Sequence, residues 1–446
     1  MTKTLLRSVG LFGAGMIVAT IAPAIGAVDV STYKELDQFM SVFERVRSDY
    51  VEKVDDRTLI KGAIDGMLAS LDPHSSYLDA RDRQNMRTQT QGAYGGLGLS
   101  VTMEDGMTAQ EDTPAGRAGL KTGDYITHID SKLLYGGTLD EAVDQMRGKP
   151  GSKILLTIVR PGREKPFDIS LTRELIQMKP VKWEVKDQVG IININTFVNA
   201  NTGDSVRAAI AGIQKSLGHD PAGYVIDLRS NPGGLLDQAI DVADIFLDRG
   251  EIVSQRGREK NDIERRYATA SPPDLAHGLP IIVLVDAGSA SAAEIVAGAL
   301  QDQKRALVMG ERTFGKGSVQ TVIDLSDETA LKLTTARYYT PSGRSVQEGG
   351  IKPDLRVPQL SDADYKDRPR LRESDLRRHL INEAKVDDKV LEDDGKPDPR
   401  FQLTAADLKK QGIEDFQLDY AVKTIARMAQ PPLRTAQGGA KKTGAR

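Results

Sequence analysis

Residues 281–320 read IIVLVDAGSASAAEIVAGALQDQKRALVMGERTFGKGSVQ, and the chain is organised around them. Ile281 to Val285 is an apolar, β-branched run with the length of a buried strand. The small residues 286–289 make a turn, and residues 291–300 are helix-like. Ser291 therefore falls at a strand-to-helix junction, where free N–H groups and the helix dipole favour negative charge. Residues 306–309 form a second strand, and residues 310–317 a glycine-rich loop carrying Lys316. From Lys316 onward the pattern is extended, and a period of two puts Lys316, Ser318 and Gln320 on one face. Strand–helix alternation over residues 190–302 argues an α/β core.

Three chemistries compete for this stretch. A serine before a helix commonly caps it, and Ser289 or Ser291 could do so. Residues 310–316, GERTFGK, fit the first seven positions of the phosphate-binding GxxxxGK[ST] loop. Gly317 stands where the magnesium-binding hydroxyl belongs, and the lysine leads into a strand rather than a helix, so a nucleotide site is rejected. The third is a Ser–Lys hydrolase, in which a lysine made less basic by burial takes the proton of an attacking serine.

GSASAAEIVAGALQD followed by GERTFGKGSVQ resembles the paired signature of the carboxy-terminal (tail-specific) processing peptidases, the S41 serine peptidases. The resemblance implies Ser291 as nucleophile, Lys316 as general base and Gln320 as the residue that orients the lysine. It departs at Ala293, where many members carry a third serine, at a position that is not catalytic. Residues 222–236 form a second strand–turn–helix unit, and its turn Asn231-Pro-Gly-Gly234 exposes amides where a helix begins, which suits an oxyanion. Pro-Gly-Gly is equally good chemistry for a plain turn. DLRSNPGG is a family phrase, and the resemblance implies an oxyanion hole from the amide of Ala292 and that of Gly233 or Gly234.

Composition bounds the rest. Sixty basic and 63 acidic residues leave a formal charge of −3, which gives no reason to expect nucleic acid. There is no cysteine, which excludes disulfides, thiol chemistry and a lipoprotein anchor. His74, His128, His219, His277 and His379 show no ligand spacing, so neither a metal nor a cofactor is expected. Lys3 and Arg7 precede an uncharged stretch with Ala24, Gly26 and Ala27 at its end. This reads as a secretory signal peptide over residues 1–27 or, alternatively, an uncleaved membrane anchor. Either exports the chain, to the periplasm or to the inner membrane facing it, with membrane contact only if the segment stays.

Residues 28–91 read as helical, with Tyr33, Leu36, Phe39, Met40, Phe43 and Val46 at helical spacing. His74 lies in the turn phrase LDPHSSYL, also found in the family, and reads as structural. Residues 92–175 change to short strands and glycine turns. YGGLGLSV, PAGRAGLKTGD and the helix over residues 139–147 resemble a PDZ domain, whose carboxylate-binding loop would be Gly95, Gly96, Leu97 and Gly98. In that mode an extended peptide adds a strand to the sheet edge while loop amides hold its terminal carboxylate. Residues 176–358 form the peptidase core, with strands expected over residues 185–189 and 191–194 and with Tyr338 and Tyr339 read as packing residues. Residues 359–430 form a charged, helical C-terminal region, in which 365–398 reads as a solvated helix or partner-binding segment and 418–428 as a short amphipathic helix. Residues 431–446 read as a disordered tail.

The expected architecture is thus an α/β multidomain protein: a crotonase- or ClpP-like peptidase core preceded by a PDZ domain and flanked by helical segments. The resemblance implies an exported serine endopeptidase that takes protein substrates with apolar C-terminal tails, with an adaptor or a homo-oligomer as further partners. Arg147, at the end of the PDZ helix, is a candidate for reading PDZ occupancy. The alternative is a catalytically silent PDZ scaffold that recruits protein tails.

Overall fold

The computed structural model describes residues 30–102, 106–110, 112–134, 138–269, 274–365, 370–383 and 398–429. The expected leader at 1–27 and the expected tail at 431–446 lie outside the described residues. Two compact units divide at Gly66/Met67. The first holds the helix Val30–Asp49 and most of the helix Asp56–Ala69, where helical apolar spacing placed them.

The second unit is built on a six-stranded sheet in the order Val181–Lys186, Val189–Ile194, Gly223–Asp227, Ile281–Val285, Leu307–Gly310 and Leu355–Arg356. The first pair is antiparallel and every later pair parallel. Ile192, Ile226, Val283 and Val308 face the helices Thr202–Leu217, Leu236–Ile245 and Ala292–Asp302. Ile191, Val225, Ile282 and Met309 face the opposite way, onto Leu408, Phe416, Val422 and Ile425. Burial on both faces explains why the central strand IIVLV is apolar at every position rather than at alternate ones.

Two sequence expectations give way here. The strands expected over 185–189 and 191–194 are instead Val181–Lys186 and Val189–Ile194. Asp187 and Gln188, with φ of 49° and 65°, form the two-residue hairpin between them. Without a glycine, a turn of this kind carries little sequence signal. The charge-dense segment is also not solvated throughout where it is described. Its described residues 370–383 contain only the 3-10 turn Glu373–Asp375, and Arg372 and Glu373 are buried. Further on, the helices Ala405–Lys410 and Phe416–Met428 cover the second face of the sheet.

A five-stranded antiparallel sheet flanks the core. Its long strand Ala330–Tyr339 pairs with Ser318–Asp324, Ser76–Leu78 and Glu251–Arg256, and the last pairs with Ile263–Tyr267. The PDZ-like region has its own core of Leu97, Met107, Ile129, Ile154, Leu156 and Ile158. Around it run the sheet of Lys132–Leu133, Tyr125–Ile129, Lys153–Val159 and Phe167–Thr172, and the helix Leu139–Met146.

Candidate active site

The strand Ile281–Val285 delivers the chain into a tight turn, and Ser291 follows at the N-cap of Ala292–Asp302 with φ 54° and ψ −114°. That conformation costs a non-glycine residue about 1–3 kcal/mol and persists only where the surroundings enforce it. Ser291 pairs with Glu294 as a capping box at the start of this helix, its N–H donating to the Glu294 carboxylate. Ser289 is fully buried and spends its Oγ on Leu228 O and Asp286 Oδ1. Ser291 thus does cap its helix, and what a plain cap leaves unexplained is its strained backbone.

Its backbone is held by Glu294. This carboxylate is fully buried and accepts the Ser291 N–H at 2.7 Å, the Lys316 N–H at 3.0 Å and the Gly315 N–H at 2.7 Å, together with the Thr313 hydroxyl. One group therefore fixes the Ser291 turn and the lysine loop to each other. Burial pushes its pKa up to about 7, against the hydrogen bonds from Thr313, Gly315, Ser291 and Lys316.

Lys316 lies just before the strand Ser318–Asp324. Its Nζ donates to Gln320 Oε1 at 2.6 Å and to Ser318 O at 3.2 Å. The expected one-face arrangement of Lys316 and Gln320 is reached although the ladder shifts register between Val319 and Gln320. Gln320 is oriented in turn, its Nε2 donating to Ser318 Oγ and Thr334 Oγ1 at 3.0 and 3.1 Å. Burial brings the Lys316 ammonium down to about 8, with the nearby Glu373 carboxylate opposing. Tyr338, expected to be packing only, enters the site. Its hydroxyl donates to Lys316 O. Burial, with Glu294 second, keeps its phenol well above the ordinary range.

The turn 231–234 docks against the nucleophile turn. Asn231 is fully buried, its Nδ2 donates to Ile194 O at 2.6 Å, and its carbonyl accepts the Ala290 N–H at 2.9 Å. A Cβ on Gly233 would lie 2.8 Å from Ser291 Cβ and 2.9 Å from Ala292 N, so only glycine permits this approach. In this conformation the Gly233 N–H is committed to Asn231 Oδ1 at 2.8 Å. The amides of Gly234 and Ala292 have no hydrogen-bond partner among the described residues.

In the PDZ-like region Gly95 and Gly96 belong to the strand Ala93–Gly96, paired with Glu174–Gln177, rather than to a loop. The turn comes at Leu97 and Gly98, where Gly98 has φ 73°. The Leu97 side chain is buried in the PDZ core, which leaves only its backbone for a ligand. Arg147 caps the helix Leu139–Met146, donates to Asn85 Oδ1 at 2.7 Å and lies over the Tyr94 ring at 5.4 Å.

Sequence reasoning missed Glu294, Tyr338 and Glu373. For Glu294 a signal existed, because Ser291-x-x-Glu294 has the spacing of a capping box. The other two reach the site only through tertiary packing.

A parallel-centred α/β sheet with a serine at a strand-to-helix turn and a half-buried lysine, both tied by their backbones to one buried carboxylate, defines a class, and comparison with known proteins gives its family. The model of peptidase family S41 matches residues 188–357, a PDZ domain model matches 107–160, and that of the activating protease CtpB N-terminal domain matches 22–82. The carboxy-terminal-processing protease of Bartonella bacilliformis is 49% identical over 96% of this chain and 98% of its own. A CtpA-like serine protease of Staphylococcus aureus is 36% identical over 75% of this chain and 67% of its own. The solved photosystem II D1 C-terminal processing protease is 30% identical over 74% of this chain and 93% of its own, with a TM-score of 0.44. The chain belongs to peptidase family S41, the carboxy-terminal-processing serine proteases, and carries a PDZ domain.

Proposed function

We propose that the chain is an exported endopeptidase that binds substrate C-terminal tails at its PDZ domain and cuts them with a Ser291–Lys316 dyad. The observation that carries this reading is the Glu294 clamp, which holds the backbones of both residues on one buried carboxylate. Supporting it, Lys316 is half-buried, desolvation brings its ammonium down to about 8, and that ammonium is aimed by a neutral amide. A base must be partly neutral near the working pH, and a lysine at its ordinary value is not.

In the reaction, Ser291 Oγ attacks the scissile carbonyl while its proton passes to Lys316 Nζ. The oxyanion is met by the amides of Ala292 and Gly234; for Gly233 to serve, its N–H must leave Asn231. Collapse of the tetrahedral intermediate expels the amine, which takes the proton from Lys316 and leaves an acyl ester on Ser291. Water then attacks the ester while Lys316 accepts its proton, and collapse breaks the bond to Ser291 Oγ, which takes that proton back from Lys316 as the carboxylic acid product departs. The tail binds as an added strand, its terminal carboxylate held by backbone amides near Leu97 and Gly98. Arg147, joining the PDZ helix to Asn85 and Tyr94, is placed to transmit occupancy. Residues 1–27 direct the chain to the periplasm or anchor it at the inner membrane.

The test is cleavage of a loosely folded protein with an apolar C-terminal tail by the parent, Ser291→Ala, Lys316→Ala and Arg147→Ala. Loss in the first two, with melting unchanged, is expected. Cleavage surviving in Ser291→Ala overturns the nucleophile. Tail binding without cleavage by the parent supports the scaffold instead. Unchanged tail-stimulated turnover in Arg147→Ala removes its role.

A further inference from the structure

Glu373 sits in the segment that reads as solvated, yet its side chain is fully buried. His74 Nε2 bonds both of its oxygens, at 2.9 and 3.0 Å, and Gln347 Nε2 donates to Oε1 at 3.1 Å. The same Gln347 accepts the Gly317 N–H at 3.0 Å. The Glu373 amide donates to Phe314 O at 3.2 Å, and Arg372 Nη1 donates to Arg312 O and Thr313 O at 2.6 and 2.9 Å. The segment is thereby stitched along the lysine loop from Arg312 to Gly317. Burying a carboxylate costs several kcal/mol unless its partners recover it, so a segment with only a covering role has no reason to place one here.

We propose that Glu373, held by His74 and Gln347, is a positioning residue for the catalytic lysine, so that residues 372–382 are part of the active site. The inference rests on the Ser–Lys reading above. Among the charges around Lys316, Glu373 acts most strongly, followed by Lys332, Glu294 and Asp72. Around Glu373 itself lie His74, His379 and Tyr338. Burial drives Lys316 towards the neutral amine, and Glu373 opposes that by favouring the ammonium. The ammonium is the form Lys316 takes as Ser291 attacks, so a nearby fixed carboxylate stabilises the transition state more than the resting state. Glu373 makes no hydrogen bond to Nζ, whose acceptors are Gln320 and Ser318. It acts through charge and through the loop.

The experiment measures kcat/KM from about pH 6 to about pH 10 on a tail-bearing substrate for the full-length parent and for Glu373→Gln, His74→Phe and Lys316→Ala. Melting is recorded for each. In Glu373→Gln the acid limb of the profile should move to lower pH by about one unit, and the plateau should fall about tenfold. His74→Phe keeps the ring volume, removes the donor, and should move the limb the same way by less. A limb that stays in place in a natively melting Glu373→Gln overturns the proposal, even if activity drops at every pH. If Glu373→Gln does not fold, the limb of His74→Phe decides in the same sense. Full activity in Lys316→Ala would instead overturn the dyad, and this inference with it.

Discussion

Glu294→Gln is the perturbation that most directly tests the clamp at the centre of the site. Glutamine has nearly the same shape, keeps one acceptor oxygen, and turns an NH2 group towards donors that the carboxylate now satisfies. Leaving such donors unmet costs about 1–3 kcal/mol at any pH. The parent has an additional, pH-dependent term. Its carboxyl moves from an ordinary 4.5 to about 7 on folding, which corresponds to about 3 kcal/mol of preference for the neutral form. Because the folded value is raised, the folded state keeps a proton that the unfolded state has released between those two values. Parent stability from this group is therefore full below 4.5, falls as pH rises, and levels off above about 7. The variant lacks the term. Its destabilisation relative to the parent should shrink by about 2–3 kcal/mol between about pH 5 and about pH 7.5. Lys316, whose folded value is about 8 and which feels the Glu294 charge, adds to the difference only near the alkaline end of this range. Urea unfolding followed by the single tryptophan, Trp183 on the edge strand of the core sheet, reads the difference. A difference constant across that range to within about 0.5 kcal/mol would refute the raised carboxyl.

Two further outcomes follow from packing. Gly233→Ala places a Cβ 2.7 Å from Ala290 O and 2.8 Å from Ser291 Cβ at a φ of 94°, so kcat should fall roughly 10²-fold or more. A variant retaining half of the parent rate would show that the approach of the two turns is not needed. Phe416→Ala removes the aromatic that packs under the sheet beside Phe401 and Tyr420, and should cost about 3–5 kcal/mol in urea unfolding. A loss under about 1 kcal/mol would mean that the helix Phe416–Met428 is dispensable to the core.

The parts of the site legible in the sequence are those that local patterns encode. Ser291 is marked by the change from strand period to helix period around it, and Lys316 by the glycine-rich loop between two strands. Gln320 is close enough to Lys316 for strand spacing to pair them. What was not legible depends on distant residues. Tyr338 reads as one more aromatic in a strand, and its hydroxyl gains a role only because the Ala330–Tyr339 strand runs beside Ser318–Asp324. His74 and Glu373 are 299 residues apart, and a buried glutamate in a stretch of mixed charge looks like any solvated one. The hairpin at Asp187 and Gln188 was hidden for a different reason. Apolar alternation continued through a turn with no glycine or proline to interrupt it.

The second face of the central sheet also sets an order of events. Residue 320 completes the catalytic motifs, but Val189, Ile191, Val225, Ile282 and Leu284 remain uncovered until Phe416, Val422 and Ile425 exist to shield them. Glu373, buried beside the lysine loop, likewise arrives after the lysine it faces. A chain made from its N-terminus therefore carries Ser291 and Lys316 well before the sheet beneath them is covered on both faces. A chain cut short before the helix Phe416–Met428 leaves one face of its central sheet exposed to water.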